Sequence, residues 1–212
     1  MHETILSRNK VLASRIIDLL SQRHMHGDYV ETKEEAGELV LKMIPEGSSV
    51  GWGGSASLDE INIKDDLRSG NYRVYDRDNA KDDQDLHIIE RQCLTADVFL
   101  MGTNAITEDG QLVNLDGNGN RVAALAFGPD KVIVIAGINK ICPDLDDAVK
   151  RVRRTAAPTN AFRFPGDTPC RKFGICGDCR MEDCICSQLL ITRGSMTKDR
   201  VNVVIVGEPL GF

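Results

Sequence analysis

Apolar positions recur along this chain with two periods. Between residues 5 and 25, Leu12, Ile16, Leu19 and Leu20 fall on one helical face, with Arg8, Arg15 and Asp18 off it. This helix either belongs to an arm over residues 1–30, apart from the main sheet, or packs onto that sheet. Thr32 followed three residues later by Glu35 is a capping-box signature. Ala36, Leu39, Val40 and Met43 then supply an apolar stripe that Pro45 and Gly47 end. Strands and helices alternate from there. The pattern predicts strands at Ser49–Trp52, Tyr72–Tyr75, Asp97–Met101, Gln111–Asn114, Lys131–Ala136, Leu189–Thr192 and Val201–Val206. It predicts helices at Ser57–Leu67, Gln84–Leu94, Arg121–Phe127 and Leu145–Ala157. Such alternation means an α/β fold, a mostly parallel Rossmann-like sheet with helices on both faces. Residues 159–187 break the pattern. They are rich in Cys, Gly, Asp and Arg and read as an insertion before the last two strands.

Length and charge narrow the picture. The 212 residues fit one α/β domain, 1–212, and 42% apolar content fills a core without disulfide staples. Lys and Arg total 26 against 32 Asp and Glu, a formal charge of −6, with no basic block. That composition argues against nonspecific nucleic-acid or anionic-membrane binding. The longest apolar runs, such as Val132–Ala136 and Val203–Val206, are too short to cross a bilayer. The N-terminal residues lack a basic start followed by an apolar core, so the expected compartment is the cytoplasm. Seven cysteines, an odd count in a reducing compartment, speak against a disulfide framework.

Three polar connections follow strands, where open α/β sheets bind ligands. The first, Gly51-Trp52-Gly53-Gly54-Ser55-Ala56-Ser57, runs from a strand into a helix. Gly53 and Gly54 permit close backbone approach, and Ser55 and Ser57 offer hydroxyls, one of which can cap the helix. Its natural guest is a carboxylate or phosphate; the alternative is a tight connection with no ligand. It is not a nucleotide fingerprint, having neither Gly-x-Gly-x-x-Gly nor Gly-Lys-Ser/Thr. The second runs from Met101 to Arg121. Here Thr103, Asn104, Thr107 and Glu108 stand where chemistry is expected, Asn120 is a good N-cap, and Arg121 can pair with an anion. Asp109-Gly110 equally marks an ordinary hairpin turn. The third, Ala136–Ile141, carries Lys140, either an anion ligand or a solvated side chain.

Five cysteines form a cluster, Cys170-x5-Cys176-x2-Cys179-x4-Cys184-x-Cys186, while Cys93 and Cys142 stand alone. Four soft ligands on a compact irregular loop suit tetrahedral Zn²⁺ or an iron–sulfur cluster. A thioredoxin-like pair, disulfides or free thiols are the alternatives. The four histidines lack helical ligand spacing. Trp52 either stacks on a ligand or fills the core.

The run from Gly102 to Lys140 resembles the LUD domain, the lactate utilization family. The turn Gly51–Ser57, the segment Cys170–Cys186 and the ending Val206–Phe212 fit a short subfamily common in anaerobic bacteria. The resemblance implies the Rossmann-like sheet of ribose-5-phosphate isomerase, glucosamine-6-phosphate deaminase and the coenzyme A transferases. It places ligands over Gly51–Ser57 and Gly102–Glu108. Sugar-phosphate isomerases of that fold carry Gly-Ala-Asp-Glu-x-Asp in the second loop. Here Asn104, Ala105 and Thr107 take the acidic places, so the groups for enediol proton transfer are missing. Glu108 is the nearest counterpart of the transferases' glutamate nucleophile and is the candidate catalytic residue. Cys170, Cys176, Cys179 and Cys186 match the subfamily's recurrent cysteines. Cys184 is an extra or substitute ligand.

The resemblance implies a part in oxidising lactate or another small organic acid, beside iron–sulfur oxidoreductase subunits. It inclines the metal centre towards a [4Fe–4S] cluster over Zn. A non-catalytic metabolite-binding or regulatory subunit is a second expectation, and a coenzyme A transferase or ligase a third. Proteins of this fold often self-associate, so a homo-oligomer is expected.

Overall fold

The computed structural model describes residues 3–212; Met1 and His2, the start of the expected arm, lie outside the described residues. In chain order the elements are α1 (Glu3–Gln22), β1 (His26–Val30), α2 (Lys33–Met43), β2 (Ser49–Trp52), α3 (Ala56–Glu60), α4 (Ile63–Ser69), β3 (Arg73–Tyr75) and α5 (Asp83–Cys93). Next come β4 (Val98–Gly102), β5 (Ala105–Thr107), β6 (Leu112–Asp116), α6 (Asn120–Ala126), β7 (Lys131–Gly137) and β8 (Ile141–Cys142). The chain ends with α7 (Leu145–Arg151), α8 (Ala157–Ala161), α9 (Pro169–Phe173), β9 (Gln188–Thr192) and β10 (Val201–Val206).

The main sheet has six strands in the order β1-β10-β7-β4-β2-β3, every neighbouring pair parallel. Side chains on a strand alternate between faces, so each central strand feeds two cores. Phe99, Met101, Val132, Val134, Val203 and Ile205 join Ala13, Ile16 and Leu20 of α1 and Leu125 of α6 on one face. Val98, Leu100, Ile133, Ile135, Val204 and Val206 join Val40 of α2, Leu58 of α3 and Leu67 of α4 on the other. Each of these large side chains contributes about 1.5–3 kcal/mol by leaving water, which makes β4, β7 and β10 the anchor of the molecule. Among the described residues, no helix is long and apolar enough to cross a membrane.

The structure departs from the sequence expectation in five places. First, α1 is a packing helix, with Ala13, Ile16 and Leu20 fully buried, and does not stand apart as an arm. Second, His26–Val30, placed within that arm, forms β1 and pairs with β10. Third, the helix expected over Ser57–Leu67 is two, α3 and α4, because Asn62 turns left-handed at φ 55°. Fourth, the helix expected to end at Ala157 continues through a π-helical turn, Val152–Ala156, into α8. Fifth, a second sheet, β8-β5-β6-β9, stands beside the first and closes a small core of Ala105, Val113, Cys142, Ala148 and Val152. The capping box is present: Thr32 Oγ1 accepts from the Glu35 N–H at 3.2 Å, and the Glu35 carboxylate accepts from the Thr32 N–H at 3.4 Å.

Candidate functional site

Parallel strands deliver their carboxyl ends to one edge of the sheet, and a cleft of about 380 Å³ opens there. The loops after β2, β4 and β7 line it, with the end of β6, the start of α6 and the chain's last two residues. Gly54, Ser55, Ser57, Thr103, Asn104, Asn120, Arg121 and Lys140 all line this one cleft. Gly53 lies just behind it: a Cβ there would meet Arg121 Cδ at 3.0 Å, so glycine lets that side chain lie flat against the turn. Glu108 does not line the cleft. It sits in the β5–β6 connection, its N–H donating to the Cys142 carbonyl at 2.8 Å, away from the residues that line the cleft.

Several of these residues hold the cleft's shape. Arg121 Nη1 donates to the Gly102 carbonyl at 3.2 Å, and Nη2 to the Leu115 carbonyl at 2.7 Å and Asn104 Oδ1 at 3.2 Å. Its Nε lies 3.8 Å from Asp116 Oδ2. Burial lowers the Arg121 pKa, Asp116 raises it and Arg77 lowers it. Arg121 is thus a buried clamp across three loops, its charge already answered, rather than the free anion ligand the sequence suggested. Asn120 is not the N-cap either. Gly119 occupies that position at φ 84°, and Asp116 Oδ2 accepts from the Arg121 and Val122 N–H groups, each at 3.1 Å. The Asn120 amide instead reaches Glu90 Oε1 at 3.0 Å. Ser55 occupies the N-cap of α3 but makes no side-chain cap bond, and its hydroxyl fills the space that a Cβ on Gly102 would need, 2.7 Å away. Thr103 turns its hydroxyl back to the Ala105 carbonyl at 2.9 Å.

Lys140 departs from its ordinary setting. It is 3% exposed, and its Nζ donates to Ser57 Oγ at 2.8 Å. Burial, with Arg151 and Arg121 alongside, pulls its pKa down to about 7, against the opposing pull of Glu60. Among the described residues, no carboxylate lies within ion-pair distance of it. The tail closes over this pair: Gly211 sits at φ 52°, and a Cβ there would stand 2.8 Å from Ser57 Oγ and 3.4 Å from Lys140 Nζ.

Cleft residues that sequence reasoning did not single out come mainly from outside the glycine-rich turns. Arg77 pairs with the buried Glu90 at 2.9 Å. Asp78 is held by Lys64 at 2.7 Å and by the Trp52 indole N–H at 3.1 Å, so Trp52 serves the core and not a ligand. Asn160, Arg163, Phe164 and Ile185 reach in from the 159–187 segment. Their sequence signal is faint: an arginine among phenylalanines in an irregular stretch has no periodicity to betray a shared wall. Of the four cations that line the cleft, Arg77 and Arg121 have a carboxylate partner and Lys140 and Arg163 have none among the described residues.

A second cavity, about 230 Å³, is lined by all five clustered cysteines. Cys184 neighbours both Cys179 and Cys186. Burial and the neighbouring Cys184, Cys176 and Cys170 push the Cys186 thiol up to about 12, and burial raises Cys179 as well. Thiols that raise one another in this way are stabilised as thiolates by a cation placed among them. None of the seven cysteines is in a disulfide. Among the described residues, no three donor side chains stand close enough to hold one metal ion as they are. Around a single Zn²⁺, tetrahedral thiolates at about 2.3 Å from the metal stand only ~3.8 Å apart. The two cavities share a wall, Leu115 and Ile185, and Ile185 lies between Cys184 and Cys186.

Residues 13–206 match the family model of the LUD domain. The chain belongs to the LUD domain family. Among solved structures, a DUF162 family protein from Deinococcus radiodurans is similar in fold, with 14% identity, 93% of this chain and 97% of that chain covered, and a TM-score of 0.54. Ribose 5-phosphate isomerase A from Neisseria gonorrhoeae aligns over 53% of this chain and 54% of its own at 16% identity and a TM-score of 0.35. eIF2B beta from Chaetomium thermophilum aligns over 54% and 44% at 16% identity and a TM-score of 0.36. No match was found among curated proteins. This LUD domain thus has the Rossmann-like α/β fold that its sequence implied.

Proposed function

We propose that this LUD domain binds a small organic acid in the strand-end cleft and takes part in its oxidation through a cysteine-held metal centre next door. The shared wall of Leu115 and Ile185 carries the reading, because it sets the two sites side by side. Family membership supports a role related to lactate utilisation in general terms. Lactate or a relative is the substrate we favour: a carboxylate of that size suits a small cleft whose unanswered charges are Lys140 and Arg163. Cys170, Cys176, Cys179 and Cys186 would hold the centre, with Cys184 as substitute, and we favour an iron–sulfur cluster over zinc because the proposed role is redox chemistry. Such a cluster supplies one-electron transfer. Oxidising a 2-hydroxy acid releases two electrons, so a partner oxidoreductase subunit is part of the proposal.

A second reading, a binding or regulatory subunit without turnover, draws on Asn104, Ala105 and Thr107 in the acidic places and on Glu108 standing off the cleft. Titration calorimetry of lactate, pyruvate and phosphate into protein purified without oxygen tests the cleft. Saturable binding of at least one, weakened about tenfold (~1.4 kcal/mol) by Ser57→Ala, is expected. Heats that show no binding for any of the three would remove the proposal. Turnover of lactate with an artificial electron acceptor separates catalysis from sensing.

A further inference from the structure

We infer that Lys140 captures the carbonyl carbon of a 2-oxo acid in this cleft as a reversible imine, with Ser57 relaying the proton. This rests on the cleft being a site for small organic acids and names the oxidised, carbonyl-bearing class as its guest. The geometry is that of a held nucleophile. The Lys140 side chain is buried yet lines the cleft, and its Nζ is fixed by one neutral partner, Ser57 Oγ at 2.8 Å. Arg151 and Arg121 stand near it as cations and Glu60 as the one opposing anion. Arg151 is tied to the Asn104 and Asn139 carbonyls, and Arg121 to the loops described above. Neither can relax away from Lys140, so the amine is held half-neutral at neutral pH, where an ordinary lysine is almost wholly ammonium. A neutral, desolvated lysine amine is the nucleophile that carbonyl chemistry requires. Arg163, the other cleft-lining cation without a carboxylate partner, is left for the substrate carboxylate.

The step balances without an oxidant. The Nζ lone pair forms a C–N bond to the carbonyl carbon, and the C=O π pair moves to oxygen, which takes a proton to give a carbinolamine. That proton comes from the nitrogen; the hydroxyl then takes the nitrogen's second proton and leaves as water while the nitrogen lone pair closes the C=N bond. Ser57 Oγ is placed to pass the proton from nitrogen to the departing oxygen.

The test is reductive trapping of the full chain with pyruvate and cyanoborohydride at pH 7, followed by peptide mapping. Lys140 should be labelled at least about tenfold faster than the exposed Lys42 and Lys150, since its buried amine is held beside Ser57 in the cleft. Labelling should saturate with pyruvate and be competed by phosphate. Lys140→Arg, which keeps a cation, should lose the fast adduct while still binding phosphate by calorimetry and melting as a folded protein. Labelling of Lys140 no faster than of Lys42 would overturn the inference. If phosphate still binds in that case, the organic-acid cleft stands without the imine; if phosphate and pyruvate both fail to bind, the cleft reading falls with it.

Discussion

Arg121 and Arg163 both face the cleft, but they do different work. Arg121 donates to two carbonyls and two amide oxygens and neighbours Asp116, whereas Arg163 is exposed and its side-chain partner among the described residues is Asn160 at 3.5 Å. Truncating a buried, paired cation leaves its partners unsatisfied, which costs about 3–5 kcal/mol. Urea unfolding of Arg121→Ala should show a loss of that order. Arg163→Ala should unfold like the parent and lose about tenfold in organic-acid affinity, or ~1.4 kcal/mol. The opposite pattern, a stable Arg121→Ala and an unchanged affinity in Arg163→Ala, would reverse these roles. Residue identity at the turns was legible in the sequence: eight of the nine expected binding residues line the cleft. Their roles were less legible. Lys140 follows a strand in a short polar loop, where the sequence leaves open an anion ligand or a solvated side chain; its burial depends on neighbours such as Gly211 and Ser57, 71 and 83 positions away.

Elements position those residues through pairings that local pattern does not reveal. β1 reads His-Gly-Asp-Tyr-Val, without apolar alternation, because it is an edge strand with only β10 beside it. β5 and β8 are three and two residues long, too short to carry a period, yet they build the sheet whose strand β6 ends at Leu115 and Asp116 in the cleft wall. The long buried strands β4, β7 and β10 were legible because their apolar runs are continuous. The exit of the cysteine segment is stitched to the same wall: Ser187 N–H donates to the Asp116 carbonyl at 2.9 Å, and β9 pairs antiparallel with β6. The C-terminal tail is pinned in turn, Leu210 N–H to Asn139 Oδ1 at 3.1 Å and Gly211 N–H to Glu60 Oε1 at 3.0 Å. Gly211→Ala places a Cβ against Ser57 at a backbone angle that disfavours side chains. It should cost about 1–2 kcal/mol of stability and weaken anion binding, by melting and calorimetry. An alanine variant that binds as tightly as the parent would show that the tail does not shape the cleft.

For the molecule as a whole, Lys140 makes stability depend on pH in a way that can be signed. Its folded pKa is about 7, against an unfolded value of about 10.4. Below pH 7 both states are protonated and the cost of burying the ammonium is fully felt. Between about pH 7 and 10 the unfolded chain holds the proton and the folded chain does not, so stability rises with pH. Lys140→Met lacks this dependence. Its stability advantage over the parent should shrink from pH 6 to pH 10 by an amount on the order of 3–5 kcal/mol; a constant difference would show that Lys140 is not depressed. At this scale the main sheet, its helices and the cores on its two faces are explained by period and burial. The joining of cleft and cysteine cavity is a property of the folded whole.

That joining is tested most directly by the visible absorption spectrum of protein purified without oxygen, recorded as pyruvate is added. The expected result is a broad iron–sulfur band, bleached by dithionite, that changes saturably with pyruvate, because Ile185 stands between cleft and cysteines. A band indifferent to pyruvate at concentrations that calorimetry shows to be bound, or protein devoid of metal, would contradict the account.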